Sequence, residues 1–333
     1  MAPRIALDAM GGDYAPAETV RGALAAQREA GVTPLLVGDE AALRAQLDAE
    51  GVEAAPWQIV HVPEAVAMEE HAVEAVRSRR PTSIRKSAEM LKADEVDAVV
   101  TMGHTGAAVA AGVLIVGRLP DVERPGLGVL LPAHDPRPLL IDVGANAEAR
   151  PRHLVQFAVM GRVYQERLQG LANPRVGLLS IGEEESKGNS LVHEAAAMLA
   201  SGGFNYVGHV DPARIFRDEA DVIVCDGFTG NVVIKTAEAT AEYAFGELRA
   251  EILRRSLAKL AALGLRPAFR ALRRRIDYAE IGATPLLGLK GLLLIGHGRS
   301  KAPAVTNALL AADRAVRAQL VPTIASGLEA ATA

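Results

Sequence analysis

The feature that most limits the possible folds is a repeated pattern in which a short apolar run is followed directly by a loop of small residues. Residues 4–8 precede the small-residue segment 9–13, and residues 97–101 precede 102–107. The runs are apolar at consecutive positions, which is typical of strands buried on both faces of a parallel sheet. Longer segments with helical spacing lie between them. The pattern predicts an α/β fold, a mostly parallel, Rossmann-like sheet with helices on both faces in three layers.

Nine segments fit the strand pattern, and several longer segments between them contain good helix formers. The predicted strands are 4–8, 34–37, 58–62, 97–101, 127–131, 139–143, 176–180, 221–226 and 292–295. Because the carboxyl ends of parallel strands meet at one edge of an open sheet, we predict that the small-residue loops form a single rim. No linker, repeat or domain boundary is visible, so we expect residues 1–333 to form one domain.

Composition narrows the classes of function. Phe, Tyr and Trp make up 4% of the 333 residues, too few for extended base-stacking surfaces, so we expect no nucleic-acid partner. The single cysteine, Cys225, lies in an apolar run, which argues against a disulfide framework and a thiolate metal site. No apolar run approaches the ~20 residues of a membrane span, and no signal peptide precedes the first strand. The sequence therefore predicts a cytoplasmic protein.

The glycine-rich loops suit an anionic ligand. Glycine lets backbone N–H groups approach an oxyanion, and a following helix N-terminus adds partial positive charge. Each loop alone is better explained as a tight β-to-α turn, but five loops beside Thr105, Asn146, Asn231 and Ser300 favour a binding edge. No loop matches the dinucleotide or Walker A pattern, and the eight histidines lack metal-ligand spacing. We therefore predict no cofactor and no metal.

Residues 182–189 follow another predicted strand and open a helix. Their Lys187 would lie at the same rim, where a lysine could hold a dianion, although a solvated lysine beside three glutamates is the alternative interpretation. The chain has no Gly-x-Ser-x-Gly motif, and its one cysteine lies within a strand pattern. This favours attack by a bound substrate over attack by a protein nucleophile.

Residues 249–275 carry nine basic side chains and one acidic one, Glu251, in a chain of net charge −4. Apolar residues recur at helical spacing on both sides of Gly264, which predicts two short helices that form a protruding amphipathic hairpin over 254–276. Such a hairpin could contact an anionic membrane or an acidic protein, or pack on the body or across a dimer. Its candidate contact residues are Arg255, Leu257, Leu260, Arg266, Phe269, Arg270, Leu272, Arg273 and Arg274.

Motifs along almost the whole chain resemble, in their order, those of the bacterial phosphate acyltransferase (PlsX) family. They are Asp8 to Asp13, Thr105 to Ala107, Asp142 to Asn146, Gly182 to Glu184, Lys187 to Asn189, Asp226 to Val232 and Gly296 to Gly298. Each motif is weak alone, and the ordered set is specific. Tyr14, His104 and Arg299 depart from the family pattern, which has His, Asn and a small residue there.

The resemblance implies an α/β enzyme, usually a homodimer, that transfers a long-chain acyl group from acyl carrier protein to inorganic phosphate. The acyl phosphate feeds the first acylation of glycerol 3-phosphate, which implies the downstream acyltransferase as a partner and peripheral contact with the inner face of the membrane. In this interpretation Lys187, Asn189 and Asn231 are catalytic donors. The implied substrate contacts are Asp8, Gly11, Gly12, His104, Thr105, Gly106, Asn146, Gly230, His297, Gly298 and Ser300.

Three other functions stay open. Two are enzymes of similar architecture, a phosphotransacetylase that acts on short acyl groups and a relative of the isopropylmalate-type dehydrogenases. The dehydrogenase needs a metal-binding carboxylate cluster and a dinucleotide loop, and the sequence shows neither. The third is a non-enzymatic scaffold that binds membranes through the basic hairpin alone.

Overall fold

The computed structural model describes residues 2–67, 69–78, 80–133, 135–276 and 282–332, and leaves out the side chains of 256, 257, 259, 260, 273–276 and 332. Its strands are β1 (Ile5–Asp8), β2 (Leu35–Gly38), β3 (Ile59–His61), β4 (Ala98–Thr101), β5 (Gly126–Leu130), β6 (Leu139–Ile141), β7 (Arg175–Leu179), β8 (Asn205–Val210), β9 (Val222–Val224), β10 (Thr284–Leu287) and β11 (Leu292–Ile295). Its α-helices are α1 (Ala17–Ala30), α2 (Glu40–Ala49), α3 (Ala72–Arg77), α4 (Ser83–Lys92), α5 (Thr105–Ala111), α6 (Pro151–Leu168), α7 (Ser190–Ser201), α8 (Gly227–Arg254), α9 (Ser256–Ile276), α10 (Ala302–Arg317) and α11 (Leu320–Thr332).

The strands of the described residues form one sheet in the order β3-β2-β1-β4-β11-β10-β5-β6-β9-β7-β8. Helices cover both faces, and most neighbouring strands run parallel, so the predicted α/β, mostly parallel, three-layer class is confirmed. The pairs β11–β10, β10–β5 and β5–β6 are antiparallel. As a result β6, β9, β7 and β8 run opposite to β1, β2, β3, β4 and β11.

This reversal corrects the prediction of a single rim. The loops after β1, β4 and β11 leave one edge of the sheet, whereas the loops after β6, β7 and β9 leave strands that point the other way. A run of apolar residues shows that a strand is buried, but it does not show the direction of that strand. The small-residue loops therefore form two groups.

Side chains of the central strands alternate between two apolar layers, one on each face of the sheet. Ile5 and Leu7 pack in the layer that contains residues of α1, α6 and α10, whereas Ala6 packs in the layer that contains residues of α4 and α5. Val99 likewise faces the second layer, and its neighbours Ala98 and Val100 face the first. Burial on both faces explains why these strands are apolar at every position.

The basic segment differs from the predicted pair of short helices. α8 extends to Arg254, and α9 is continuous from Ser256 to Ile276 with Pro267 inside it, so α8 and α9 together make the hairpin. One glycine costs a helix only about 1 kcal/mol, and the surrounding Ala, Leu and Arg residues favour helix. Among the described helices, none is long and apolar enough to cross a membrane.

Candidate functional site

Asp142 lies directly after β6, and its carboxyl group accepts hydrogen bonds from its own loop and from the neighbouring strand β5. Its Oδ1 accepts hydrogen bonds from the backbone N–H groups of Leu127 at 3.0 Å, Gly144 at 3.1 Å and Ala145 at 3.0 Å. Its Oδ2 accepts from the backbone and side-chain nitrogens of Asn146, at 2.8 and 2.9 Å. Burial raises the pKa of this carboxyl group, and hydrogen bonds from Ala145, Leu127, Asn146 and Gly144 oppose that rise. Because all five contacting groups are donors, the carboxylate form can accept every one of these bonds.

The first turn of α8 lies directly on this loop. The N–H group of Gly227 donates to the carbonyl of Asn146 at 2.9 Å. A Cβ atom on Gly230 would lie 1.9 Å from the carbonyl oxygen of Asp142, so only glycine permits this approach. Asn231 is exposed and lies beside Gly144. We call residues 142–146 and 226–231 together the Asp142 cluster.

The side chain of Asn146 is largely occupied within the Asp142 cluster. Besides its bond to Asp142, its Nδ2 donates to the carbonyl of Pro125 at 2.7 Å, and the residue is buried. Asn146 therefore fixes the loop that faces α8. Its predicted contact with substrate stays a prediction, and Asn231 presents a more accessible amide.

Lys187 and Asn189 lie in the loop between β7 and α7, residues 180–189, which we call the lysine loop. β7 neighbours β9, so this loop leaves the sheet at the same edge as the Asp142 cluster. Lys187 is exposed, and its backbone N–H donates to Glu184 at 2.9 Å. Asn189 caps α7, because its Oδ1 accepts from the N–H of Val192 at 3.0 Å. The charge of Lys187 is thus carried on a short turn next to a helix N-terminus.

The loops of the other half meet around Asp8, at the end of β1. Asp8 is buried, and its Oδ2 accepts from the hydroxyl of Thr101 at 2.7 Å. Burial raises the pKa of Asp8, and the hydrogen bond from the Thr101 hydroxyl opposes that rise. The N–H of Asp13 donates to the carbonyl of Gly298 at 2.8 Å, so the loops after β1 and β11 touch. We call residues 8–13, 101–106 and 296–300 the Asp8 cluster.

Close packing leaves Gly11 of the Asp8 cluster no room for a side chain. A Cβ atom on Gly11 would lie 2.7 Å from the Asp8 carboxylate and 2.8 Å from the nitrogen of Gly103. Gly12 has a φ of +108°, a conformation that favours glycine. Gly11 and Gly12 therefore allow the loops to meet, whatever substrate contacts they make.

Ser300 of the Asp8 cluster is buried, and its hydroxyl has no hydrogen-bond partner among the described residues.

His104 caps α5 in the Asp8 cluster. Its Nδ1 accepts a hydrogen bond from the N–H of Ala107 at 3.3 Å, so the neutral ring carries its proton on Nε2. Thr105 is exposed at the first position of the helix, and Gly106 packs against the His104 ring. The cap is a structural role for His104 that leaves Nε2 as its only ring donor.

We expect the variant His104→Asn to stay active and to keep the melting temperature of the parent. Asn caps helices as well as other small polar residues do, so the start of α5 should be kept. The turnover number and the melting temperature of both proteins test the expectation. An inactive variant with an unchanged melting temperature would instead give the imidazole a role of its own.

Helix α8 joins the two clusters. Its first turn belongs to the Asp142 cluster, and farther along it Glu238 contacts His297 at 3.3 Å and Glu242 contacts Arg299 at 3.0 Å. The hydrogen bond from His297 lowers the pKa of Glu238. Each residue predicted to be catalytic or to contact substrate thus lies in one of the clusters or in the lysine loop. The candidate substrate site is the surface between them, along α8.

Asp142, Glu238 and Glu242 contribute to this site but are absent from the residues predicted from sequence. Asp142 does carry a signal, because its position after a strand and before small residues matches that of Asp8. Glu238 and Glu242 carry no local signal, because their partners lie about 60 residues away. Among the described residues, no group of three or more His, Cys, Asp or Glu side chains could hold a metal ion.

Comparisons with known proteins agree with this architecture. A family model described as "Fatty acid synthesis protein" matches residues 3–322. A phosphate acyltransferase from Thermus thermophilus is 49% identical over 328 residues, 98% of this chain and 99% of that protein. One from Dictyoglomus turgidum is 43% identical over 331 residues, 99% of this chain and 98% of that protein. A phosphotransacetylase structure from Streptococcus pyogenes matches with a TM-score of 0.62 at 17% identity, covering 96% of this chain and 94% of that one, which supports the fold alone.

Proposed function

The chain belongs to the phosphate acyltransferase family and is an acyltransferase, and we propose that it transfers a long-chain fatty acyl group from acyl carrier protein to inorganic phosphate. The observation that carries this proposal is the Asp142 cluster, in which a carboxylate orders a glycine loop against the first turn of α8. The N-terminus of a helix attracts anions through its free N–H groups and its dipole. Asn231 and the nearby lysine loop add a polar amide and a positive charge.

The proposed chemistry needs no protein nucleophile. A phosphate oxygen attacks the thioester carbonyl carbon, and a C–O bond and a tetrahedral oxyanion form. The C–S bond then breaks, and the thiolate of the carrier protein leaves and takes up a proton from water. The protein's task is to hold the two substrates together and to stabilise the oxyanion. Lys187, Asn189 and Asn231, with the loop amides, are the proposed donors, and Cys225 is buried within the sheet.

The experiment that tests the function uses the purified chain with palmitoyl-acyl carrier protein and inorganic phosphate. Hydroxylamine traps acyl phosphate as a hydroxamate, which should appear only when phosphate and enzyme are both present. Acetyl coenzyme A serves as the second donor, because preferred use of acetyl coenzyme A would identify a short-chain phosphotransacetylase. If neither donor gave a hydroxamate, the proposal would be overturned.

We also propose that the hairpin of α8 and α9 contacts acyl carrier protein and the anionic inner face of the membrane, and that the protein is a peripheral homodimer. Its described apolar side chains include Leu263, Leu265 and Leu272, which are 56%, 53% and 44% exposed. Arg255 and Arg266 are exposed on the same hairpin. The predicted contacts Leu257, Leu260, Arg273 and Arg274 lie outside the described side chains. Glycerol-3-phosphate acyltransferase stays a proposed downstream partner.

Charge and apolar contact at the hairpin can be separated. Arg266→Glu with Arg270→Glu should weaken binding to phosphatidylglycerol vesicles and make its salt dependence shallower, because fewer screened charge contacts remain. Leu265→Glu should weaken binding at every salt concentration. Vesicle sedimentation at several salt concentrations measures both effects, with Arg317→Ala on α10 as the control. Unchanged binding in all variants would make the hairpin a packing element.

A further inference from the structure

A cavity of about 390 Å³ lies away from both clusters, on the sheet face covered by α6 and α10. It is formed by the carboxyl ends of these two helices, the start of α11 and the strands β10 and β11. Its volume is in the range of ~300–1,000 Å³ typical of small-molecule sites. No residue of the Asp8 cluster, the Asp142 cluster or the lysine loop lines it.

The inner wall of this cavity is apolar. Pro285 and Leu294 contribute the sheet side, and Ala315 and Leu320 contribute the helix side. All four residues are buried in the main apolar layer or at its edge. This wall suits a hydrocarbon chain, because each CH₂ group that leaves water is stabilised by burial.

The outer part of the cavity is cationic. Arg137, from the loop before β6, and Arg314, on α10, both line it, and neither makes an ion pair with a described residue. Asp135 is the one described carboxylate that lines the cavity, so the described lining residues together carry net positive charge. Two guanidinium groups that pair with no described carboxylate are strong donors for a phosphate or a carboxylate.

Tyr164, near the carboxyl end of α6, also lines the cavity. Burial raises the pKa of its phenol to about 12, although the positive charge of Arg314 opposes that rise. The phenol is therefore protonated at neutral pH and can donate a hydrogen bond. A hydroxyl donor near Arg314 adds a third group that can bind an anionic head.

From this arrangement we propose that the cavity binds an anionic amphiphile, a hydrocarbon chain that ends in a phosphate or carboxylate group. The chain would lie against Pro285 and Leu294, and the head group would meet Arg137 and Arg314. The acyl phosphate of the proposed reaction has this form, but the inference depends on the cavity and not on that reaction. The site is separate from the surface assigned to acyl transfer.

Isothermal titration calorimetry of the full chain with octyl phosphate, octanoate, butyl phosphate and octanol tests the proposal. At least one octyl anion should bind saturably, and the head group that binds identifies the source as a phosphate or a carboxylate. Because each buried CH₂ contributes about a fourfold gain, the eight-carbon ligand should bind at least 10-fold more tightly than its four-carbon counterpart. Saturable binding by neither anion, or equal binding of octanol, would overturn the proposal.

Substitutions of arginines test whether the octyl anion binds in this cavity. Arg137→Ala with Arg314→Ala should weaken binding of the octyl anion by about 10-fold or more, because two charge-assisted hydrogen bonds are lost. Arg317→Ala removes a neighbouring arginine of α10 that pairs with Asp313 at 2.7 Å and does not line the cavity, so it should bind like the parent.

Lys187→Ala separates this site from the acyl-transfer site. It should bind the octyl anion with unchanged affinity, because Lys187 lies in the lysine loop and does not line the cavity. Loss of binding in Lys187→Ala would move the ligand to the proposed transfer site and contradict the cavity. If the parent protein bound the octyl anion but formed no acyl phosphate, the proposed function would be overturned and this inference would stand.

Discussion

Replacing Lys187 by Ala should lower the turnover number for acyl transfer to phosphate by about 100-fold or more. This is the scale of loss when one preorganised electrostatic donor is removed from a transition state. The protein should still fold, because the Lys187 side chain is exposed and the bond to Glu184 uses its backbone N–H, which the substitution keeps. Steady-state rates of hydroxamate formation at several phosphate concentrations separate the turnover number from the KM for phosphate.

Two further variants test whether the loss of activity comes from the charge at position 187. Lys187→Arg keeps the charge but changes its geometry, and we expect it to recover part of the activity. Lys92→Ala removes an exposed lysine from the last turn of α4 and should leave the rate unchanged. Full activity in a folded Lys187→Ala protein would show that the lysine is a solvated surface residue, the alternative that the sequence left open.

The apolar runs predicted most of the sheet because a strand that is buried on both faces is apolar at consecutive positions of the sequence. Two strands were missed, β8 and β10. β8 is an edge strand whose residues, such as Tyr206 and Val207, are mostly half-buried or exposed, so the run is not continuously apolar. β10 contains Pro285, which cannot donate a ladder hydrogen bond and weakens the strand pattern. In both cases the pairing partner, and not the local sequence, determines the structure.

The missed strand β10 also explains why the site was predicted only in part. β10 and β5 reverse the direction of the sheet, so the missed strand is the one that divides the predicted rim into two clusters. The positions of glycine loops could be predicted, because small residues after a strand are a local signal. The use of a side chain could not, since Asn146 bonds to Asp142 of its own loop and Asn189 bonds to the first turn of its own helix.

Asp142 should prove the most sensitive polar residue of the site. In Asp142→Asn one carboxylate oxygen becomes an NH₂ group, which then faces N–H donors at the position of Oδ1 or Oδ2. Each buried donor that loses its acceptor costs about 1–3 kcal/mol, and at least two donors are affected. We therefore expect the free energy of unfolding to fall by about 3 kcal/mol or more, measured by urea denaturation.

Asp226→Asn is the matched control, since Asp226 also follows a strand and accepts bonds at the start of the next helix. Its Oδ1 accepts from the N–H of Thr229 at 2.9 Å as the N-cap of α8, and Asn is an equally good N-cap. The control should lose about 0.5 kcal/mol or less. If Asp142→Asn unfolded at the same urea concentration as the control, the carboxylate would not be what orders the loop beneath α8. Partial activity in a folded Asp142→Asn protein, with a raised KM for phosphate, would place its effect in the geometry of that loop.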